Sequence, residues 1–354
     1  MLIMSYVLFR LHLLKYWLLK EELLLKRTYY IFNNGELKRK DNTIEFYLED
    51  GGRRTIPIEQ VRDIYCFGQI NINSALISFL ASRHIALHWF NYYGYYSGTF
   101  YPREYLVSGK LLVKQVEHYT NPDKRIILAK AFVDGASANI YRNLRYYKNR
   151  GKDLSDVMDE IDYFRNQINV ADKVESLMGL EGNIRKVYYS AWNEIINQDI
   201  QFEKRVKRPP DNMINSLISF LNTMLYTKTL SEIYNTQLNP TISYLHEPGT
   251  SRFSLSLDIS EIFKPLIVDR LIFSLLNKNQ INEYSFHKET EFLQLKESAI
   301  KTIIAELDLR LKQTIGHREL KRSVSYLRLI RLEAYKLVKH LLGEKMYEPF
   351  KIWW

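Results

Sequence analysis

"RTYYIFNNGELKRKDNTIEFYLEDGGRRTIPI", residues 27 to 58, decides how the chain begins to fold. Apolar, aromatic and β-branched residues recur there in short alternating runs, separated by Asn-Asn-Gly, Asp-Asn-Thr and Glu-Asp-Gly-Gly. A period of two describes a half-buried strand, and Asn-Gly and Asp-Gly supply the positive φ angles of tight turns. The stretch therefore reads as a meander of hairpins. "VRDIYCFG" (61–68) and "IALHWF" (85–90) read as further strands on either side of a short helix, "NSALISFLASR" (73–83).

After "GKLLV" (109–113) the apolar period changes to 3.6, which is the spacing of an amphipathic helix. Long helices are expected within 123–150, 211–235 and 289–315, with Asp211 as an N-cap after Pro209 and Pro210. The run 320–343 stops at Gly343, as helices commonly do. The expected fold class is α+β, a small β-rich N-terminal domain (27–108) followed by a larger all-helical C-terminal domain (109–354). A length of 354 residues exceeds one ordinary hydrophobic core and agrees with two domains.

Residues 1–26, "MLIMSYVLFRLHLLKYWLLKEELLLK", are Leu-rich, yet Arg10, His12, Lys15 and Lys20 interrupt them short of a membrane span. No small-residue cleavage site follows the apolar run, which argues against a signal peptide. An amphipathic helix and an over-long reading frame starting near Lys26 both fit. The net charge of +10 and a pI near 9.3 favour partners that carry phosphate. With Cys66 as the only cysteine, neither an intrachain disulfide nor a Cys-rich zinc site can form, and a reducing cytoplasm fits.

Three acids and one histidine stand out. Val174, Leu177, Ile184, Tyr188 and Trp192 share a helical face with Glu181, and a carboxylate on an apolar stripe needs a partner. Arg185, one turn on, supplies one as an i,i+4 ion pair; a metal would supply another. Gly179 and Gly182 beside Glu181 allow close approach to the backbone. His246 lies in a loop, "YLHEPGTSR", ahead of Asp258-x-x-Glu261. That pair matches a capping box at a helix start, while Pro265 removes a hydrogen bond from the Glu261 carbonyl and distorts the turn. Two carboxylates and an imidazole form an oxygen and nitrogen donor set that suits Mg²⁺ or Mn²⁺.

"MGLEGNIRKVYY" around Glu181, "RPPDNMINSLISFLNTMLY" (208–226) and "YLHEPGTSRFSLSLDISEIFKPLIVDR" (244–270) together resemble the CRISPR-associated integrase family, the universal first Cas protein of spacer acquisition. The likeness runs from about Arg27 to Trp354. It implies a dimerising β-rich domain and a helical domain with a metal site at Glu181, His246 and Glu261, with Asp258 as a supporting or alternative ligand. The implied activity is metal-dependent integration of short foreign DNA into a CRISPR array, by 3′-hydroxyl attack on a phosphodiester, in antiviral defence. The implied partners are double-stranded and branched DNA, a second copy of the chain and a small second adaptation protein. Tyr226 matches a DNA-contacting tyrosine. Lys204, Arg205, Lys207, Arg208, Arg252 and Lys264 are candidate phosphate contacts from their position near the site. A non-catalytic basic DNA-binding scaffold, in which Glu181 merely pairs with Arg185, is the alternative.

Overall fold

The computed structural model describes residues 26–206, 209–249, 253–287 and 293–353. They divide into two compact units between Tyr105 and Leu106. The first unit contains β1 (Arg27–Ile31), β2 (Gly35–Lys40), β3 (Thr43–Leu48), β4 (Arg53–Pro57), β5 (Val61–Cys66), β6 (Ile70–Ile72), helix α1 (Ser74–Ser82), β7 (Ala86–Phe90) and β8 (Tyr96–Phe100).

These strands form two four-stranded sheets, ordered β1-β5-β7-β8 and β4-β3-β2-β6. The meander expected over 27–58 holds only from β2 to β4, which pair antiparallel. The first expected hairpin is absent: β1 pairs in parallel with β5, in the other sheet. Asn-Asn-Gly therefore carries the chain between sheets. Gly35 is at φ 154°, and a Cβ there would lie 2.1 Å from the Tyr47 carbonyl oxygen, so no side chain fits the crossing. Ile44, Phe46, Leu37, Ile64 and Leu87 are buried between these elements with Leu76 and Leu80 of α1. Nearly all of β5 is buried, as befits a central strand covered on both faces.

The second unit contains α2 (Gly109–Thr120), α3 (Pro122–Lys148), α4 (Ser155–Gln167), α5 (Val174–Ser190), α6 (Trp192–Ile195), α7 (Met213–Tyr234), α8 (Ser254–Lys264), a π-turn (Pro265–Asp269), α9 (Arg270–Asn277), α10 (Glu297–Lys312) and α11 (Tyr326–Leu341). It is mainly but not wholly helical. Phe286–His287 pairs with Gln294–Leu295, and Thr314–His317 with Arg322–Ser325, as two small antiparallel ribbons. The helix expected from residue 289 begins at Glu297, and the one expected from 320 begins at Tyr326, where Ser325 accepts from Arg328 N. Both helical patterns extend beyond their helices because a few apolar residues suit either period. The N-cap of α7 is Asn212, whose side chain accepts from Asn215 N; Asp211 instead accepts from the Asn215 amide side chain. Residues 1–25 lie outside the described residues. Among those described, no helix is long and apolar enough to cross a membrane.

Candidate active site

Helix α8 buries Leu255, Ile259, Ile262 and Phe263, and that apolar spacing turns Asp258 and Glu261 to the interior as well. Its N-cap is Phe253, without a side-chain cap bond. Asp258 and Glu261 thus lie inside the helix, and the capping-box expectation fails. Asp258 does something else. Its Oδ2 accepts from Tyr244 N at 2.7 Å and Leu245 N at 3.0 Å, and its Oδ1 from His246 N at 3.0 Å and His246 Nδ1 at 2.8 Å. A carboxylate offers about four acceptor positions, and all are occupied. Asp258 folds the 244–246 loop around itself and is fully buried.

His246 is oriented by the same contact. With Nδ1 donating to Asp258, its lone pair is on Nε2, the arrangement second-shell carboxylates give to ligating histidines. Burial would lower the His246 pKa, but the hydrogen bond and charge of Asp258, with Glu261 adding to them, raise it above its ordinary value. Arg125 secures the loop from outside, through Nε to the Tyr244 carbonyl at 2.9 Å and an ion pair to Glu247 at 2.5 Å.

Glu181 projects from α5 and is half-buried. Arg185, one turn on, donates through Nε to Glu181 Oε1 at 3.1 Å and through Nη2 to Glu261 Oε2 at 2.6 Å. One guanidinium thus bridges acids 80 residues apart in sequence, and the expected Glu181–Arg185 ion pair is one half of the bridge. Lys264 donates to the other oxygen of Glu261 and lies 5.0 Å from the centroid of the Tyr226 ring. Burial alone would raise Glu261; Lys264, Arg185 and His246 outweigh it and hold the carboxyl at about 2. Behind them Asp269 is buried, which pushes its carboxyl up to about 7 against the pull of Arg185.

Pro265 disturbs the chain as its ring chemistry requires, but at the end of α8 rather than at its start. The π-turn leaves carbonyls without helical partners, and side chains replace them. Asn139 Nδ2 donates to the Ile262 carbonyl at 2.9 Å, Asn143 Nδ2 to the Pro265 carbonyl at 2.6 Å, and Arg310 to the Leu266 carbonyl at 2.6 and 3.0 Å.

The candidate DNA contacts separate. Tyr226 and Lys264 belong to the acid cluster. Lys204 is exposed. Arg205 is tied down, donating to Asn215 Oδ1 at 3.0 Å and Ser219 Oγ at 2.7 Å, so it fastens the segment before α7 rather than standing free for phosphate. Lys207, Arg208 and Arg252 lie outside the described residues. Sequence reasoning missed Asp269, Arg125, Asn139 and Asn143. Only Asp269 carried a signal, as an acid inside the apolar run "FKPLIVDR".

Among the described residues no three His, Cys, Asp or Glu side chains already converge as a ligand set; the carboxylates are turned to Arg185 and Lys264. The donor chemistry nevertheless fits a divalent cation. Two carboxylate oxygens already share a positive charge between them, and an imidazole with Nε2 available bears on the same Glu261.

A family model described as CRISPR associated protein Cas1 matches residues 29–308. A CRISPR-associated endonuclease Cas1 of Fusobacterium nucleatum is 62% identical over 330 residues, covering 93% of this chain and 98% of the relative. A solved Cas1 protein from Thermotoga maritima superposes with a TM-score of 0.82 at 42% identity, covering 92% of this chain and 99% of that one. A Cas6-RT-Cas1–Cas2 complex superposes at 0.81 over 93% of this chain and 36% of that one; at 18% identity this is a likeness of fold alone.

Proposed function

Since this chain belongs to the Cas1 family of CRISPR-associated endonucleases, we propose that Glu181, His246 and Glu261 hold the divalent cation with which it works as the spacer integrase of adaptation. The enzyme is a metal-dependent DNA nuclease and integrase, and the alternative of a non-catalytic scaffold gives way to that membership. The observation that carries the site is the shared cation: Glu181 and Glu261 come from α5 and α8, yet one guanidinium reaches both.

Carboxylate oxygens and one imidazole nitrogen suit Mg²⁺ or Mn²⁺ better than a thiol-seeking metal. Such an ion, when bound, neutralises phosphoryl oxygens and favours loss of the attacking hydroxyl proton. The protein's own part is placement. Asp258 fixes the His246 ring and leaves Nε2 for ligation. Lys264, held against Glu261 and the Tyr226 ring, presents positive charge where the phosphodiester gains negative charge. Tyr226 offers a flat face to the DNA end, and Lys204, Lys207, Arg208 and Arg252 are proposed as phosphate contacts. The 27–108 region is proposed as the homodimer domain and 109–354 as the catalytic domain, with a second adaptation protein holding two active sites on one DNA fragment.

Strand joining on a supercoiled plasmid that bears the CRISPR repeat, in Mg²⁺ or Mn²⁺ with the partner adaptation protein present, tests the site. Glu181→Ala, His246→Ala and Glu261→Ala should each lose more than ~100-fold of the joining rate, with circular dichroism unchanged. Wild-type joining by any of the three would remove that residue from the metal site.

A further inference from the structure

The cation bridging the two carboxylates has an unfilled acceptor behind it. The Nε and Nη2 edge of Arg185 faces Glu181 Oε1 and Glu261 Oε2, while Nη1 points to Asp269 Oδ2 at 3.8 Å. That distance is too long for a hydrogen bond. Asp269 Oδ2 is buried and has no hydrogen-bond partner among the described residues, a costly state for a carboxyl oxygen. It cannot swing to water, because Asp269 is 3% exposed and is held in the π-turn beyond Glu261. Lys264, meanwhile, engages Glu261 Oε1. Only Oε2, the oxygen Arg185 holds, therefore needs to be released for Glu261 to accept another cation.

We propose that Arg185 is the resident counter-cation of the metal-free site, bridging Glu181 and Glu261 until a divalent ion takes both, and that its guanidinium then shifts by about 1 Å to pair with Asp269. The inference rests on Glu181 and Glu261 being the metal's carboxylate ligands. A buried and a half-buried carboxylate with no cation between them repel one another, and a divalent ion beside an unmoved guanidinium meets the same repulsion with opposite sign. Asp269 resolves the second conflict by offering Arg185 a buried, unfilled acceptor oxygen to move to. Loading is then an exchange of one cation for another between the same two carboxylates. A permanently structural Arg185 makes the contrary prediction, that its loss loosens the frame and weakens metal binding.

Titration of the full-length protein with Mn²⁺ alone, reading free Mn²⁺ by electron paramagnetic resonance, separates the two. Arg185→Gln should bind Mn²⁺ about tenfold tighter than wild type and melt at a lower temperature in EDTA, recovering most of the difference when Mn²⁺ is added. Asp269→Asn should bind about tenfold weaker while its melting temperature in EDTA is kept. Equal or weaker binding by a folded Arg185→Gln overturns the proposal, and so does wild-type binding by Asp269→Asn, which decides alone if Arg185→Gln does not fold. Wild-type Mn²⁺ binding by Glu181→Gln and Glu261→Gln would instead remove the ligand assignment, whatever the other two variants do.

Discussion

Asp258 and Glu261 are one helical turn apart on α8, and their surroundings give them different work. Asp258 has its acceptor positions filled by the 244–246 backbone and the His246 ring. Glu261 meets cations on both oxygens. Sequence alone named both as ligand candidates, because a carboxylate's type does not state what faces it. The Asp258 assignment has a titration signature. Asp258 raises His246 above its ordinary value of 6.5, against the lowering by burial. In Asp258→Asn the charge is gone and burial remains, so the His246 midpoint followed by NMR should fall relative to wild type. The sign for stability follows from linkage: a raised folded value stabilises the fold fully below the unfolded histidine value, and that contribution is lost as pH rises through the folded value. The variant should therefore lose the part of wild-type stability that fades across this window, read as urea midpoints on either side of it. A His246 midpoint unchanged in Asp258→Asn would contradict the assigned contact.

At the scale of elements, the π-turn after α8 depends on polar side chains from α3. Asn139 donates to the carbonyls of Ile262 and Phe350 and accepts from Ile352 N at 2.9 Å, joining α8 to the C-terminal tail. Asn143 donates to the Pro265 carbonyl and the Tyr188 hydroxyl, and accepts from Arg270 Nε at 2.6 Å. Leaving a buried polar group unpaired costs roughly 1–3 kcal/mol. Asn139→Ala and Asn143→Ala should each lower unfolding stability by about 2–3 kcal/mol with an unchanged urea slope. A loss below about 0.5 kcal/mol would mean the carbonyls find other donors. Pro265 made the disturbance legible in sequence; the asparagines that repair it were not, since nothing local marks them as partners of residues more than 120 positions away. The helices themselves were legible where apolar residues recurred over several turns, as in α3 and α7. The ribbon from Thr314 to Ser325 was not, because four-residue strands carry too few alternations to outweigh the helical pattern on either side.

The whole molecule carries a net charge of +10, which acts on DNA at long range irrespective of the catalytic groups. Duplex binding measured in EDTA should weaken by roughly a thousandfold between about 50 and 200 mM salt, as expected for six or more phosphate contacts. A nearly flat salt dependence would show that few phosphates are engaged. The α+β division, the change of period after residue 109, most helices of the second unit and the family frame around Glu181, His246 and Glu261 were determined by sequence itself. Each is a property of neighbouring residues or of a fixed order of short motifs, and a periodicity records such relations directly. Only the tertiary structure decided that β1 leaves the meander for the sheet of β5 and β7, that Asp258 builds the histidine loop, and that Arg185 joins Glu181 to Glu261, 76 residues beyond the arginine. Strand partners and ion partners are chosen by which surfaces the packed chain brings together, and a local pattern contains no term for that distance.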